Sequence, residues 1–250
     1  EKDAPATAIS IGFPIDVLRG SKDWYALAIA NSWFGEHRNS SSHLFQVIRE
    51  ARGLNYGDYS YIENYPNGGS RLKPPVNVGR RQQIFEIWIR PVPNETRQFV
   101  LRATMRELQK LIDEGMTPEQ FELTRSFLRN YVLHYAPTTD TRLGYAIDDR
   151  FYDMDESHLE QFRRMMDELT VEDVNEAIRR HLQYGDLRIV FITDDAEQLR
   201  EDLSTNAASP ITYPTEKPDE VLEEDKEIMV YPLDIPAENI ETVDVESLFQ

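Results

Sequence analysis

The side chains in this sequence that could do chemistry are five histidines, a large stock of carboxylates and three consecutive serines beside one of the histidines. A metal centre is the first chemistry to test. Two imidazoles share a metal when they lie four residues apart on one helical face. His37, His43, His134, His158 and His181 contain no such spacing. Ser40, Ser41 and Ser42 precede His43, but neighbours in sequence do not form a nucleophile and base pair, and the chain has no Gly-x-Ser-x-Gly elbow. A serine that caps the following helix explains the run. Gly68 and Gly69 lack the flanking strand and helix of a phosphate loop and read as a turn. Cysteine is absent, which excludes disulfides, thiolate nucleophiles and thiolate-bound zinc. None of these groups makes a complete active site.

The elements that would position a site follow from periodicity. Ile9, Ile11 and Phe13 alternate within a strand over Ala6 to Pro14. Trp24, Leu27, Ala28, Ala30 and Trp33 recur at helical spacing, predicting a buried helix from Lys22 to Phe34. A second helix runs from about Ser42 to Arg52 on a stripe of Leu44, Phe45, Val47 and Ile48, and Gly53 suits its left-handed C-terminal position. A strand through Tyr56 to Ile62 places Tyr56, Asp58, Ser60 and Ile62 on one face and Tyr59 and Tyr61 on the other. After a turn at Pro66 to Ser70, the segment Gln83 to Val92 is the clearest strand, and it is expected to pair with its predecessor.

Asn94 can cap a long helix through Ile112 that Gly115 ends, and Thr117-Pro118-Glu119-Gln120 combines a capping box with proline at the first helical position. Further helices are predicted over Arg142 to Tyr152, Ser157 to Asp167 and Val171 to His181, the last capped by Thr170, and Leu187 to Thr193 reads as a buried strand. From Ser209, prolines alternate with a dense acidic run, Asp219 to Glu227. This predicts an extended tail with short strands near Ile228 to Tyr231 and Thr242 to Val245. The division expected is a domain over 1–205 with a tail over 206–250 wrapping it. The element order implies an α+β fold, a mostly antiparallel sheet covered by helices.

One segment is more specific. The run from Phe34 to Tyr61, with Leu44, Phe45, Arg49, Glu50, Gly53 and Tyr56, resembles the insulinase/pitrilysin family of zinc metallopeptidases, in the half that does not bind zinc. The zinc-binding half of that family carries His-x-x-Glu-His. Here Trp33-Phe34-Gly35-Glu36-His37 keeps the last two residues and replaces the first histidine with tryptophan, and one imidazole cannot hold catalytic zinc. The resemblance implies a half-domain of the insulinase and mitochondrial-processing-peptidase type. Its partner would be a zinc-binding half or subunit, with zinc there and no cofactor in this chain, and the substrate a peptide. It further implies that Arg49 and Tyr56 reach the zinc site in trans, bind the substrate carbonyl and steady the oxyanion. The geometry agrees, since Arg49 lies within a turn of its helix end and Tyr56 begins the next strand, so both approach the Gly53 corner. The plainer reading pairs Arg49 with a carboxylate and packs Tyr56 into the sheet. A non-enzymatic scaffold or peptide-binding subunit of the same superfamily is the other functional reading.

Composition bounds the rest. A chain of 250 residues, 40% hydrophobic, can bury a large core in one α/β domain or two smaller ones. A formal charge of -18 argues against non-specific nucleic-acid binding and reads mainly as solubility. No apolar run approaches the length of a membrane span. Residues 1–13 show no leader, so any signal peptide was removed or belongs to a longer precursor, and a start at the first strand without methionine suggests a fragment. A periplasmic or extracytoplasmic location is the expectation that exported relatives imply.

Overall fold

Alternating burial along one strand organises the chain. In the computed structural model, which describes residues 4–63, 73 and 75–249, strand β1 (Ala6–Ile15) turns Ile9, Ile11, Phe13 and Ile15 into the core. Strand β3 (Gln83–Pro93) lies antiparallel to it with Ile89, Ile87 and Phe85 opposite Ile9, Ile11 and Phe13. Strand β2 (Asp58–Tyr61) pairs antiparallel with β3, and β4 (Arg188–Ile192) pairs antiparallel with β1, giving the order β2-β3-β1-β4. The mostly antiparallel sheet covered by helices is the α+β class expected.

Helix α1 (Lys22–Gly35) crosses the apolar face of the sheet. Ser21 caps it by accepting from the Trp24 amide at 3.3 Å, and Tyr25, Leu27, Ile29 and Phe34 are fully buried, so most of its circumference is covered. Helices α3 (Pro118–Tyr131), α5 (His158–Glu168) and α6 (Val171–His181) pack on it, and α4 (Thr139–Phe151) carries Tyr145 into the same core. The capping boxes at Thr117 with Gln120 and at Thr170 with Asp173 form as expected.

Several expectations change. Asn94 does not cap α2 (Arg97–Glu114). Its side chain instead joins Thr7, Ala4 and Asp194, tying the end of β3 to β1 and to the segment after β4, and a short 3-10 turn leads into the helix. The strand at Arg188–Ile192 is not buried, because it is an edge of the sheet: Val190 and Ile192 are 58% and 65% exposed while Ile189 and Phe191 face inward. A helix the periodicity left unread, α7 (Ala196–Ser204), follows it.

The acidic run is not extended either. Asp219–Ile228 is helix α8, begun by Pro218 with Asp219 and Glu220 in its first turn, and neither short strand forms beyond it. Ile228 buries itself against Phe99 and Ala103 of α2, joined by Leu54, Ile211 and Met229. Arg102 of α2, wholly buried, fixes the segments around α8. It donates to the carbonyls of Met229, Tyr231 and Ala207 at 3.1, 2.8 and 2.7 Å, and to both the carbonyl and the side-chain oxygen of Asn206. The turn expected at Pro66 to Ser70 lies outside the described residues.

Candidate functional site

The helix expected over Ser42 to Arg52 is mostly a π-helical turn, Phe45–Glu50, in which the Ala51 amide donates to the Gln46 carbonyl five residues back at 3.0 Å. Such wide turns carry one extra residue, lack the tight packing of the α-helix along their axis, and concentrate at functional sites. The turn begins without the serine cap expected: the Ser42 hydroxyl is buried and makes no hydrogen bond among the described residues. It ends at Gly53, whose φ of +72° is the left-handed value expected there and whose amide donates to the Arg49 carbonyl at 2.7 Å. Leu44, Phe45 and Ile48 face the core.

Arg49 projects from the last turn of this helix. Tyr56 does not begin the strand, since β2 starts at Asp58; it sits on the connecting corner and is 68% exposed. The corner still brings the two together. The Arg49 guanidinium carbon lies 5.0 Å from the centroid of the Tyr56 ring and 4.7 Å from that of Phe45. A guanidinium between two rings gains cation–π attraction on its faces while its N–H groups stay at the edge. Neither of the plainer alternatives holds: among the described residues Arg49 forms no ion pair, and Tyr56 lies outside the sheet.

The floor of the corner is rigid. A side chain at Gly57 would meet the Tyr59 hydroxyl at 2.6 Å, so any larger residue there would have to push the Tyr59 ring aside. Arg90 of β3 donates its amide to the Gly57 carbonyl at 3.2 Å. Asn55 donates to Asp58 Oδ1 at 2.7 Å. The Asp58 carboxyl is wholly buried and its Oδ2 has no hydrogen-bond partner among the described residues. Burial pushes its pKa up to about 8, against the lowering effect of the Asn55 bond.

The degenerate metal sequence lies behind this corner, and its side chains are committed elsewhere. Trp33 stacks on His43 at 4.5 Å, Glu36 accepts from Ser32 at 2.6 Å, and His37 hydrogen-bonds the Tyr61 hydroxyl at 2.6 Å. Burial raises the Glu36 carboxyl above its ordinary range, with the Ser32 and Asn39 bonds opposing. His43 bonds Glu107 at 2.7 Å, His158 bonds Tyr25 at 3.1 Å, and His181 bonds Asp23 at 2.7 Å. These residues do not fit a zinc ion, and among the described residues no three histidines, aspartates or glutamates are grouped to hold a metal.

Periodicity gave no warning of Arg52, three residues beyond Arg49 and only 2% exposed, which binds Asp225 and Glu224 of α8. The signal available was the spacing of Val221, Asp225 and Ile228 inside the acidic run, which marks one face of a helix rather than a solvated coil.

Solved structures share this fold. A peptidase M16 inactive domain from Pseudomonas fluorescens superposes with a TM-score of 0.61 at 23% identity, over 75% of this chain and 40% of that one. A subunit in complex III of Candida albicans gives 0.58 at 15% identity, over 92% and 48%. The periplasmic protease PqqL of Escherichia coli gives 0.57 at 14% identity, over 76% and 19%. In sequence, an uncharacterized zinc protease of Mycobacterium tuberculosis is 25% identical over 187 residues, 74% of this chain. The chain spans 38% of the length of that relative. The family model for the peptidase M16 inactive domain matches residues 1–128, and with the fold in agreement the chain belongs to that family.

Proposed function

We propose that this domain serves a zinc metalloendopeptidase as the half that grips the substrate, with Arg49 and Tyr56 binding a peptide carbonyl and stabilising the oxyanion that develops on it. The zinc would belong to a partner half, on the same chain or on a separate subunit, and would supply the activated water. Arg49 and Tyr56 supply hydrogen-bond donors in a place where negative charge grows, a use of a guanidinium and a phenol that matters more in the transition state than in the bound substrate. The carrying observation is the half-buried Arg49 guanidinium, lying over the rings of Phe45 and Tyr56 with its donors unspent on any described residue. Its position at the mouth of a corner, rather than inside the core, leaves it able to meet a second polypeptide.

The test is peptide hydrolysis by the assembled protein with both halves present. Arg49→Ala and Tyr56→Phe are each expected to lower kcat/KM, on the order of 100-fold for the arginine, with zinc content unchanged. Wild-type turnover in both variants would sink the reading. An assembly that binds peptide but never cleaves it would favour the scaffold role instead. The E. coli relative is named a periplasmic protease, and we propose an extracytoplasmic location here too, to be checked by fractionating cells that express the intact protein.

A further inference from the structure

The helix that carries Arg49 is held at both ends, and both holds lead to α8. At its C-terminal end Arg52 donates Nη1 to the Val47 carbonyl at 2.7 Å, Nε to Asp225 Oδ1 at 2.8 Å and Nη2 to Glu224 Oε2 at 2.7 Å. Lys217, just before α8, donates to the Ala51 carbonyl at 2.9 Å. Tyr213 donates its hydroxyl to the other Asp225 oxygen at 2.7 Å. At the N-terminal end His43 bonds Glu107, whose second oxygen accepts from Arg106 at 2.6 Å, and Arg106 continues to Glu224 at 2.9 Å and Glu227 at 2.7 Å. Leu54, one residue past Gly53, packs into the cluster of Phe99, Ala103 and Ile228. Among the described residues the Arg49 side chain makes its two ring contacts and no hydrogen bond.

We propose that α8 is a clamp on the substrate-gripping corner, and that Arg52 and Asp225 are positioning residues that set where Arg49 stands. This rests on the role of Arg49 proposed above. Two buried charges are a poor device for stability alone, because apolar groups of the same volume serve as well or better. What they provide is direction: the Arg52 fork reaches the Val47 carbonyl inside the wide turn and two carboxylates on α8, so the helix cannot rotate about its axis without breaking charged hydrogen bonds. An error of about 1 Å in such a donor is enough to cost on the order of 100-fold in rate.

The experiment uses the assembled two-half protein and a fluorogenic peptide, with kcat and KM measured for Asp225→Asn, Arg49→Ala and the double variant. Asp225→Asn keeps the shape and removes the charge. The expected result is a fall in kcat of about tenfold or more with KM within about twofold, unchanged zinc content, and no further fall when Asp225→Asn is added to Arg49→Ala. Wild-type kcat in Asp225→Asn overturns the clamp, and so does a loss of equal size with and without Arg49. If Asp225→Asn does not fold, Tyr213→Phe removes one bond to Asp225 and keeps every charge. A smaller loss that again vanishes without Arg49 supports the clamp, and a loss independent of Arg49, or none, overturns it. Unimpaired Arg49→Ala removes the underlying site, whereas impaired Arg49→Ala with unimpaired Asp225→Asn removes the clamp alone.

Discussion

A guanidinium stacked between two rings is sensitive to shape as well as charge. Lysine at position 49 keeps the charge but loses the planar fork and the face that Phe45 and Tyr56 cover. Arg49→Lys is therefore expected to resemble Arg49→Ala in kcat/KM rather than wild type, and near-normal kinetics would show that charge alone suffices. Asp58 makes a second prediction at this scale. Its pKa is raised from 3.8 to about 8, so between those values the unfolded chain has lost a proton that the folded chain keeps. Stability then falls as pH rises through that window, and below it the group is silent. Asp58→Asn is expected to melt higher than wild type at pH 8 and to lose that advantage near pH 4, as thermal denaturation at the two pH values would reveal. Arg49 and Tyr56 were singled out by the family resemblance that Leu44, Phe45, Arg49, Glu50, Gly53 and Tyr56 carry, and their approach to one corner was legible in the helix end at Gly53. The isolation of Asp58 was not. Alternation set it on the face of Ser60 and Ile62 without saying which face is inside, and the depth of its burial comes from β3 beside it, with Ile89 opposite.

The wide helical turn and the glycine that ends it form the next unit up. Nothing lies within 4 Å of where a Gly53 side chain would begin, so substitution meets no clash and only the left-handed backbone at φ +72° resists it. Gly53→Ala is expected to cost about 1–2 kcal/mol, read as a lower midpoint in urea with an unchanged slope. A much larger loss would mean that the corner is stressed in some further way. Elements whose signals are local were readable: the capping threonines at 117 and 170 fix their own helix starts, and Gly115 ends α2 with φ +74°. Two elements were misread because their environment is not local. Leu187 to Thr193 has the composition of a buried strand but lies on an edge. The acidic run is rich in helix formers, yet its charge and its prolines suggested a solvated coil. Arg52 and Arg106, far away in sequence, neutralise the face it turns inward.

At the scale of the molecule, Arg102 is the cation that joins helix α2 to the segments flanking α8. Among the described residues it has carbonyl and amide oxygens for partners and no carboxylate, so its role is to satisfy backbone groups that burial would otherwise leave unpaired. Replacement by methionine is expected to cost roughly 3 kcal/mol or more, and lysine, with a single nitrogen, to recover little of it. Equilibrium denaturation of both variants measures this, and full recovery by lysine would mean that the fork geometry is unimportant. The general α+β architecture was legible because the alternation of β1 and β3 and the helical periods between them are strong. The attachment of the C-terminal segments was not, because it depends on hydrogen bonds to main-chain oxygens, which leave no mark on side-chain sequence.

The outer border of the sheet has a consequence for handling the domain by itself. β4 presents Val190 and Ile192 to solvent beside main-chain groups that no described strand completes. Two copies meeting there could zip together backbone to backbone, a route to reversible self-association that sharpens with concentration. A lysine in place of Ile192 should keep preparations monodisperse in light scattering at concentrations where the parent chain grows in apparent mass.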